Sequence, residues 1–223
     1  MNKIIIFDLD DTLYKEIDFL KSAFKEIVDY TINNFNCSVE NSSVLFSNML
    51  EEYFSKRDAF DYLIKTTNVP LDKKSLLSLY RSHIPQISLS EGAYELLNKI
   101  QYKGYEIGII TDGRSTQQRN KITALGLDSI VNDKNIIISE EFGSEKPSIA
   151  NYKYFIERYT EASEFYYIAD NPKKDFLSPN RLGWMTICLK DNGRNIHKQQ
   201  MDLPKEYLPK ILVHSLMEIM EVL

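Results

Sequence analysis

Cysteine is almost absent from this chain of 223 residues: Cys37 and Cys188 are the two, far apart and in no C-x-x-C pair. That excludes a disulfide framework or a zinc ribbon and fits a reducing cytosol. Long apolar runs are missing too. No segment approaches the roughly 18 to 20 consecutive apolar residues that a membrane span requires. Ile4-Ile5-Ile6-Phe7 is too short for the apolar region of a signal peptide, so a cytoplasmic chain with no membrane partner is expected. A basic excess is absent as well, since 27 Lys and Arg face 32 Asp and Glu for a net charge of −5. This argues against a nucleic-acid partner. The three histidines, His83, His197 and His214, are dispersed and have no metal-ligand spacing. There is no internal repeat and no low-complexity tract. Apolar residues at 43% and charged residues at 26% describe a globular chain, either one large domain or one domain carrying an insertion.

The apolar pattern divides the chain. Residues 3–8 read as a short buried strand, followed by the acidic cluster Asp8-Leu9-Asp10-Asp11-Thr12. A helical stripe then runs through Leu20, Ala23, Phe24, Ile27, Val28, Thr31 or Ile32, and Phe35 until Asn33, Asn34 and Asn36 break it. Further helices are expected over 44–54, 60–64 and 76–80, with no strand between 14 and 88. The remainder alternates. Ser90 is placed as the N-cap of a helix carrying Ala93, Leu96, Leu97 and Ile100, followed by a strand over 105–110. Ser115 and Gln118 have capping-box spacing at the start of a helix that ends at Gly126. Strands over 136–138, 165–169, 185–189 and 211–213 alternate with helices around 152–159, over 173–182 and from 215. The loop over 190–204 is polar and expected at the surface. Strands separated by helices imply an α/β fold, a Rossmann-like parallel sheet with helices on both faces. Residues 1–13 and 89–223 would form it, and 14–88 would be an inserted helical bundle.

Polar residues gather just after the strands, where an open parallel sheet binds its ligands. Asp8 and Asp10 start on one side of a strand, and two carboxylates brought to one point favour a cation. A solvated acidic turn explains the pair equally well in isolation. Asp170, after another strand, adds a third carboxylate and completes a hard-oxygen set suited to Mg²⁺. Asp175 can serve both as a first-turn helix acid and as an outer partner of the metal. Lys146 supplies the complementary charge, with Pro147 expected at the start of the next helix. Thr111 offers a hydroxyl, and the turn at Gly113 offers backbone N–H groups to an anion.

Taken together, Asp8-Leu9-Asp10-Asp11-Thr12, Thr111-Asp112-Gly113, Lys146-Pro147 and Asp170-Asn171-Pro172-Lys173-Lys174-Asp175 resemble the motifs of the haloacid dehalogenase superfamily, in the family's order. The helical insertion resembles its C1-type cap. Ala169 stands where many members have Gly. The resemblance implies Asp8 as nucleophile forming an aspartyl-phosphate, and Asp10 as general acid and then base. It implies Mg²⁺ held by the Asp8 carboxylate, the Asp10 carbonyl and Asp170, with Asp175 in support. It implies Thr111, Lys146 and the Asp112 N–H as phosphate contacts, with Thr12 steadying the first loop. An acid needed for the first step leads us to expect surroundings that raise the Asp10 pKa.

A phosphatase of small phosphorylated metabolites, sugar phosphates or nucleoside monophosphates, is the expected activity. The second aspartate disfavours dehalogenation, because halide leaves without a proton. A phosphonate-cleaving relative would need a Schiff-base lysine in the cap, where Lys21 and Lys56 read as ordinary exposed lysines. A phosphomutase uses the same two aspartates. A noncatalytic phosphometabolite-binding module would lack one of Asp8, Asp10, Lys146 or Asp170, and all four are present. Tyr14, Lys15, Arg57 and Arg114 are candidate substrate contacts, with a salt bridge the commoner role for Arg57.

Overall fold

Five residues, Lys-Ile-Ile-Ile-Phe, open the fold, and their β-branched side chains suit a strand covered on both faces. In the computed structural model, which describes residues 2–35 and 41–223, they form β1 (Lys3–Phe7), buried from Ile4 to Phe7. Asn36 and Cys37 lie outside the described residues. The chain separates into two compact units, one made of the segment ending at Ile17 together with Ser88–Leu223, the other of Asp18–Ile87.

The helical unit contains most of α1 (Glu16–Asn34), then α2 (Ser42–Phe54), α3 (Ala59–Thr67) and α4 (Lys73–Ser82). On α1 the buried residues Phe19, Leu20, Ala23, Phe24, Ile27, Val28 and Thr31 form the stripe read from the sequence. Asn41, Asp58 and Asp72 cap the next three helices by accepting first-turn N–H groups. Phe24 packs against Tyr53, Phe60 and Tyr80. His83 is a buried structural residue, 2.7 Å from Ser22 Oγ through Nε2 and paired with Glu26 through Nδ1.

In the other unit, β2 (Glu106–Thr111), β3 (Ile136–Ile138), β4 (Glu164–Ala169), β5 (Met185–Leu189) and β6 (Ile211–Val213) join β1 in one six-stranded sheet. The order is β3-β2-β1-β4-β5-β6 and every pairing is parallel. Its helices are α5 (Ala93–Tyr102), α6 (Ser115–Ala124), α7 (Ser139–Phe142), α8 (Ala150–Arg158), α9 (Pro172–Asp175) and α10 (Leu177–Arg181). This is a Rossmann-like α/β fold. Because β1 lies between β2 and β4, the strand order reverses there, and three strand ends carrying polar residues stand side by side. Ile4, Ile6, Ile110, Ile137, Tyr167, Ala169 and Cys188 pack with Tyr152 and Phe155 of α8 in one core cluster. Among the described residues, no helix is long and apolar enough to cross a membrane.

Several expected boundaries move. Gly92, not Ser90, precedes α5; it takes φ +75°, and the Ser90 carbonyl accepts the Ala93 N–H at 3.0 Å. Pro147 lies in a turn ahead of α8, which begins at Ala150. The helix expected over 173–182 is broken at Phe176 into α9 and α10. The last segment is a 3-10 helix, Leu216–Glu221, instead of an α-helix.

Gly108 in β2 shows how closely α8 approaches the sheet. A Cβ there would lie 2.6 and 2.7 Å from the buried Phe155 ring and 3.1 Å from Ile6. Gly108→Val should therefore lower stability by about 1–3 kcal/mol through overpacking. Denaturant unfolding at constant m-value checks this, and an unchanged midpoint would contradict the packing described.

Candidate active site

Beyond the sheet's carboxyl edge, Asp8 follows β1, Asp170 follows β4 and Asp175 closes α9. Each offers an oxygen within 4.8 Å of the others, and all three are buried. Asp8 is held on the strand line by its N–H, which donates to the Ile168 carbonyl at 2.8 Å. Asn171 caps α9 through its side chain, with Pro172 in the first turn, and this fixes Asp175. One Asp175 oxygen accepts the Asn171 N–H at 3.0 Å.

Like charges this close repel strongly in a poorly solvated site, and Lys146 answers them. Its Nζ lies 2.8 Å from Asp8 and 2.7 Å from Asp175, with no side-chain exposure. The Tyr167 hydroxyl, rising from the core, is 3.2 Å from the same Nζ. Lys146, even with the nearby charge of Lys174, does not offset the cost of burying three carboxylates. Burial, reinforced by Asp175 and opposed by Lys146, pushes Asp8 up to about 7. Burial and the charges of Asp175 and Asp8 hold Asp170 well above the usual carboxylate range. Burial would lower Lys146, but the carboxylates of Asp175, Asp8 and Asp112 keep it well above an ordinary lysine. A buried, undercompensated set of carboxylate oxygens is the donor chemistry of a hard cation, and these residues fit Mg²⁺.

Asp10 departs from expectation twice. Its carboxylate does not join that cluster. It accepts from Lys121 Nζ at 2.7 Å and Gln118 Nε2 at 2.9 Å, and the Tyr14 hydroxyl donates to it. Its pKa is also lowered rather than raised. Burial alone would push it up, but the Lys121 ammonium and the hydrogen bonds from Lys121, Tyr14 and Gln118 outweigh that. Neighbouring Asp11, at φ +56°, accepts the N–H groups of Glu16 at 3.0 Å and Ile196 at 3.1 Å. Thr12 is buried, its hydroxyl without a hydrogen-bond partner among the described residues, and its N–H donates to the Leu9 carbonyl at 3.4 Å.

Thr111 ends β2 with its hydroxyl accepting from Gln118 Nε2 at 2.5 Å. The Asp112 carboxylate joins three segments, taking the Lys146 backbone N–H at 3.1 Å and Lys174 Nζ at 3.3 Å. The Gly113 N–H donates to Ser139 Oγ at 2.9 Å. The capping box at Ser115 is not formed. Glu140 and Glu141 of α7 accept the Ser115 N–H and hydroxyl, which leaves Gln118 turned inward toward Asp10.

Among the candidate specificity residues, Tyr14 faces Asp10, and Lys15 donates to Asn195 Oδ1 at 2.7 Å. Arg114 is paired with Glu140 at 2.5 Å, and Arg57 with Glu52 at 2.8 Å in the helical unit. Sequence reasoning missed Gln118, Lys121, Lys174, Glu16 and Asn195. A signal for the first two existed. They are three residues apart on α6 and both buried, in a helix with few apolar residues to bury. Glu16 is pushed up to about 8 by desolvation and then by the charges of Asp10 and Asp11. The loop over 190–204 is not simply a surface loop, since Asn195 Nδ2 donates to Asp170 at 2.8 Å.

The chain is similar to known proteins along most of its length. Residues 5–189 match the model of the haloacid dehalogenase-like hydrolase family. The glyceraldehyde 3-phosphate phosphatase of Methanocaldococcus jannaschii is 27% identical over 229 residues, covering 100% of this chain and 97% of the relative. The protein of the same description from Pyrococcus abyssi is 26% identical, covering 85% of this chain and 82% of the relative. Among solved structures, the putative HAD-hydrolase YfnB of Bacillus subtilis, bound to magnesium, superposes with a TM-score of 0.68. It is 19% identical, with 99% of this chain and 98% of that one covered.

The raised carboxyls set a pH dependence. Asp8 and Glu16 bind protons more tightly folded than unfolded, about 7 and 8 against ordinary values of 3.8 and 4.5. Their contribution is complete below about pH 4 and is lost as pH rises through about 7 to 8. In EDTA, the melting temperature should rise as pH falls from about 8 to 5, and the rise should be shallower in Asp8→Asn. A flat or inverted profile in thermal unfolding would contradict the electrostatics of the cluster.

Proposed function

The chain belongs to the haloacid dehalogenase-like hydrolases, and from that premise we propose that it hydrolyses phosphate monoesters of small sugars, triose phosphates foremost, through an aspartyl-phosphate on Asp8. The observation that carries the reading is the buried Lys146 ammonium, 2.8 Å from the Asp8 carboxylate, at a strand end shared with two further aspartates. A carboxylate attacking an anionic phosphate needs positive charge fixed at that point. Phosphoryl transfer asks the protein mainly for positioning and charge neutralisation.

In the first step an Asp8 oxygen attacks phosphorus and the bond to the leaving oxygen breaks. Asp10, which takes up a proton from solvent as the phosphate binds, gives that oxygen the proton. In the second step water attacks phosphorus, its proton returns to Asp10, and the bond to Asp8 breaks to release phosphate. Lys146 and the Thr111 hydroxyl hold the phosphoryl oxygens, with the Asp112 N–H beside them. Lys121 stabilises the Asp10 carboxylate left after proton donation. A dianionic phosphate arriving next to Asp10 opposes Lys121 and raises the proton affinity of Asp10. Asp8, Asp170, Asp175 and the Asp10 carbonyl would hold Mg²⁺, which when bound offsets negative charge between nucleophile and substrate. In this reading the helical unit, Asp18–Ile87, is the inserted cap.

The choice of a sugar phosphate over a nucleotide follows the relatives described as glyceraldehyde 3-phosphate phosphatases. A phosphate-release panel of triose phosphates, other phosphosugars and nucleoside monophosphates with Mg²⁺ tests it. Triose phosphates should give the highest kcat/KM. EDTA should suppress release, and Asp8→Asn should lower kcat at least about 10³-fold. Ligand binding with no phosphate release from any compound would support a noncatalytic module instead, and transfer of the phosphoryl group between positions of one sugar would support a mutase.

A further inference from the structure

We propose that Asn195 is a positioning residue for Asp170, orienting that carboxylate for the divalent cation, and that the loop over 190–199 is built to hold it there. The inference rests on the reading of Asp8, Asp170 and Asp175 as the cation's seat.

The loop leaves β5 at the sheet's carboxyl edge and turns back on itself. One Asp191 oxygen accepts three successive backbone N–H groups, from Gly193 at 2.8 Å, Arg194 at 3.1 Å and Asn195 at 3.1 Å. Gly193 sits at φ +88°, a conformation that glycine adopts without strain. Gln199 closes the far side. Its Oε1 accepts the Asp191 N–H at 3.2 Å, and its Nε2 donates to the carbonyls of Asp170 at 2.6 Å and Leu189 at 3.0 Å. Meanwhile the Ile196 N–H is anchored on Asp11. A polar segment with ordinary loop composition is thereby tied at both ends to the strand termini that carry the acids.

Asn195 stands at the centre of this frame. Its Nδ2 donates to the Asp170 carboxylate at 2.8 Å, and its Oδ1 accepts from Lys15 Nζ at 2.7 Å. Lys15 is buried and can only donate. That settles which way the amide faces: oxygen toward Lys15, NH₂ toward Asp170. An aspartate held through one oxygen cannot swing away from the cluster, and its other oxygen is available to a cation. Such outer-shell partners typically contribute 10- to 100-fold in metal affinity. Lys15 acts one step further out, by fixing the amide.

The test is calorimetric titration of the full chain with Mg²⁺ after removal of metal by EDTA, comparing the wild type with Asn195→Leu, Lys15→Met and Asp170→Asn. Asn195→Leu should weaken the Mg²⁺ Kd by about 10- to 100-fold. Lys15→Met should weaken it by a smaller factor, about threefold or more, and Asp170→Asn should abolish binding. A merely structural role would lower the melting temperature in EDTA without moving Kd. If Asp170→Asn abolishes binding while Asn195→Leu leaves Kd unchanged, the positioning role is overturned and the cation seat stands. If the wild type binds no Mg²⁺, or Asp170→Asn binds it normally, both are overturned. Should Asn195→Leu not fold, Lys15→Met decides, and an unchanged Kd there would overturn the proposal.

Discussion

A single buried ammonium conditions the rest of this site. Lys146 Nζ touches Asp8 and Asp175, and its backbone N–H is fixed by Asp112. Without it, three carboxylates would share a space where water screens little, and removing one partner of such a buried set usually costs about 3–5 kcal/mol. The ion-paired lysine cannot neutralise all three. The resulting imbalance raises the proton affinity of Asp8 and Asp170 and makes the same oxygens a good seat for a hard cation.

The sheet order explains why these groups meet at all. With β1 at the reversal point, Asp8, Thr111 and Asp170 leave three adjacent parallel strands at the same edge. The two aspartates of the first loop are then given different partners. Asp8 faces Lys146, and Asp10 faces Lys121, Gln118 and Tyr14. Those partners set unequal proton affinities, high at Asp8 and low at Asp10. The roles proposed for a nucleophile and a proton carrier need the reverse, which a cation beside Asp8 and a phosphate beside Asp10 would supply.

Much of this was legible in the sequence because local patterns and strand-end chemistry agree there. The α1 stripe, the short β-branched strands and the acids that follow them all point to one architecture. What stayed hidden depends on partners distant in the chain. The Ser115–Gln118 spacing suggested a self-contained cap, but Glu140 and Glu141 of α7 supply the acceptors, and Gln118 is released to the site. Lys121, on a helix with few apolar residues, is buried by the fold against Asp10. Asn195 reaches Asp170 across 25 positions of sequence through a loop whose composition announces only polarity. In each case the deciding contact is long-range.

The most direct test of the account is to quench the wild-type enzyme with acid during turnover of a phosphosugar and map the phosphoryl group by peptide mass spectrometry. The account predicts the added mass on the peptide containing Asp8, lost in Asp8→Asn and discharged as inorganic phosphate on dilution into water at neutral pH. Turnover with the phosphoryl group on another residue, or undiminished labelling of the Asp8→Asn protein, would contradict it.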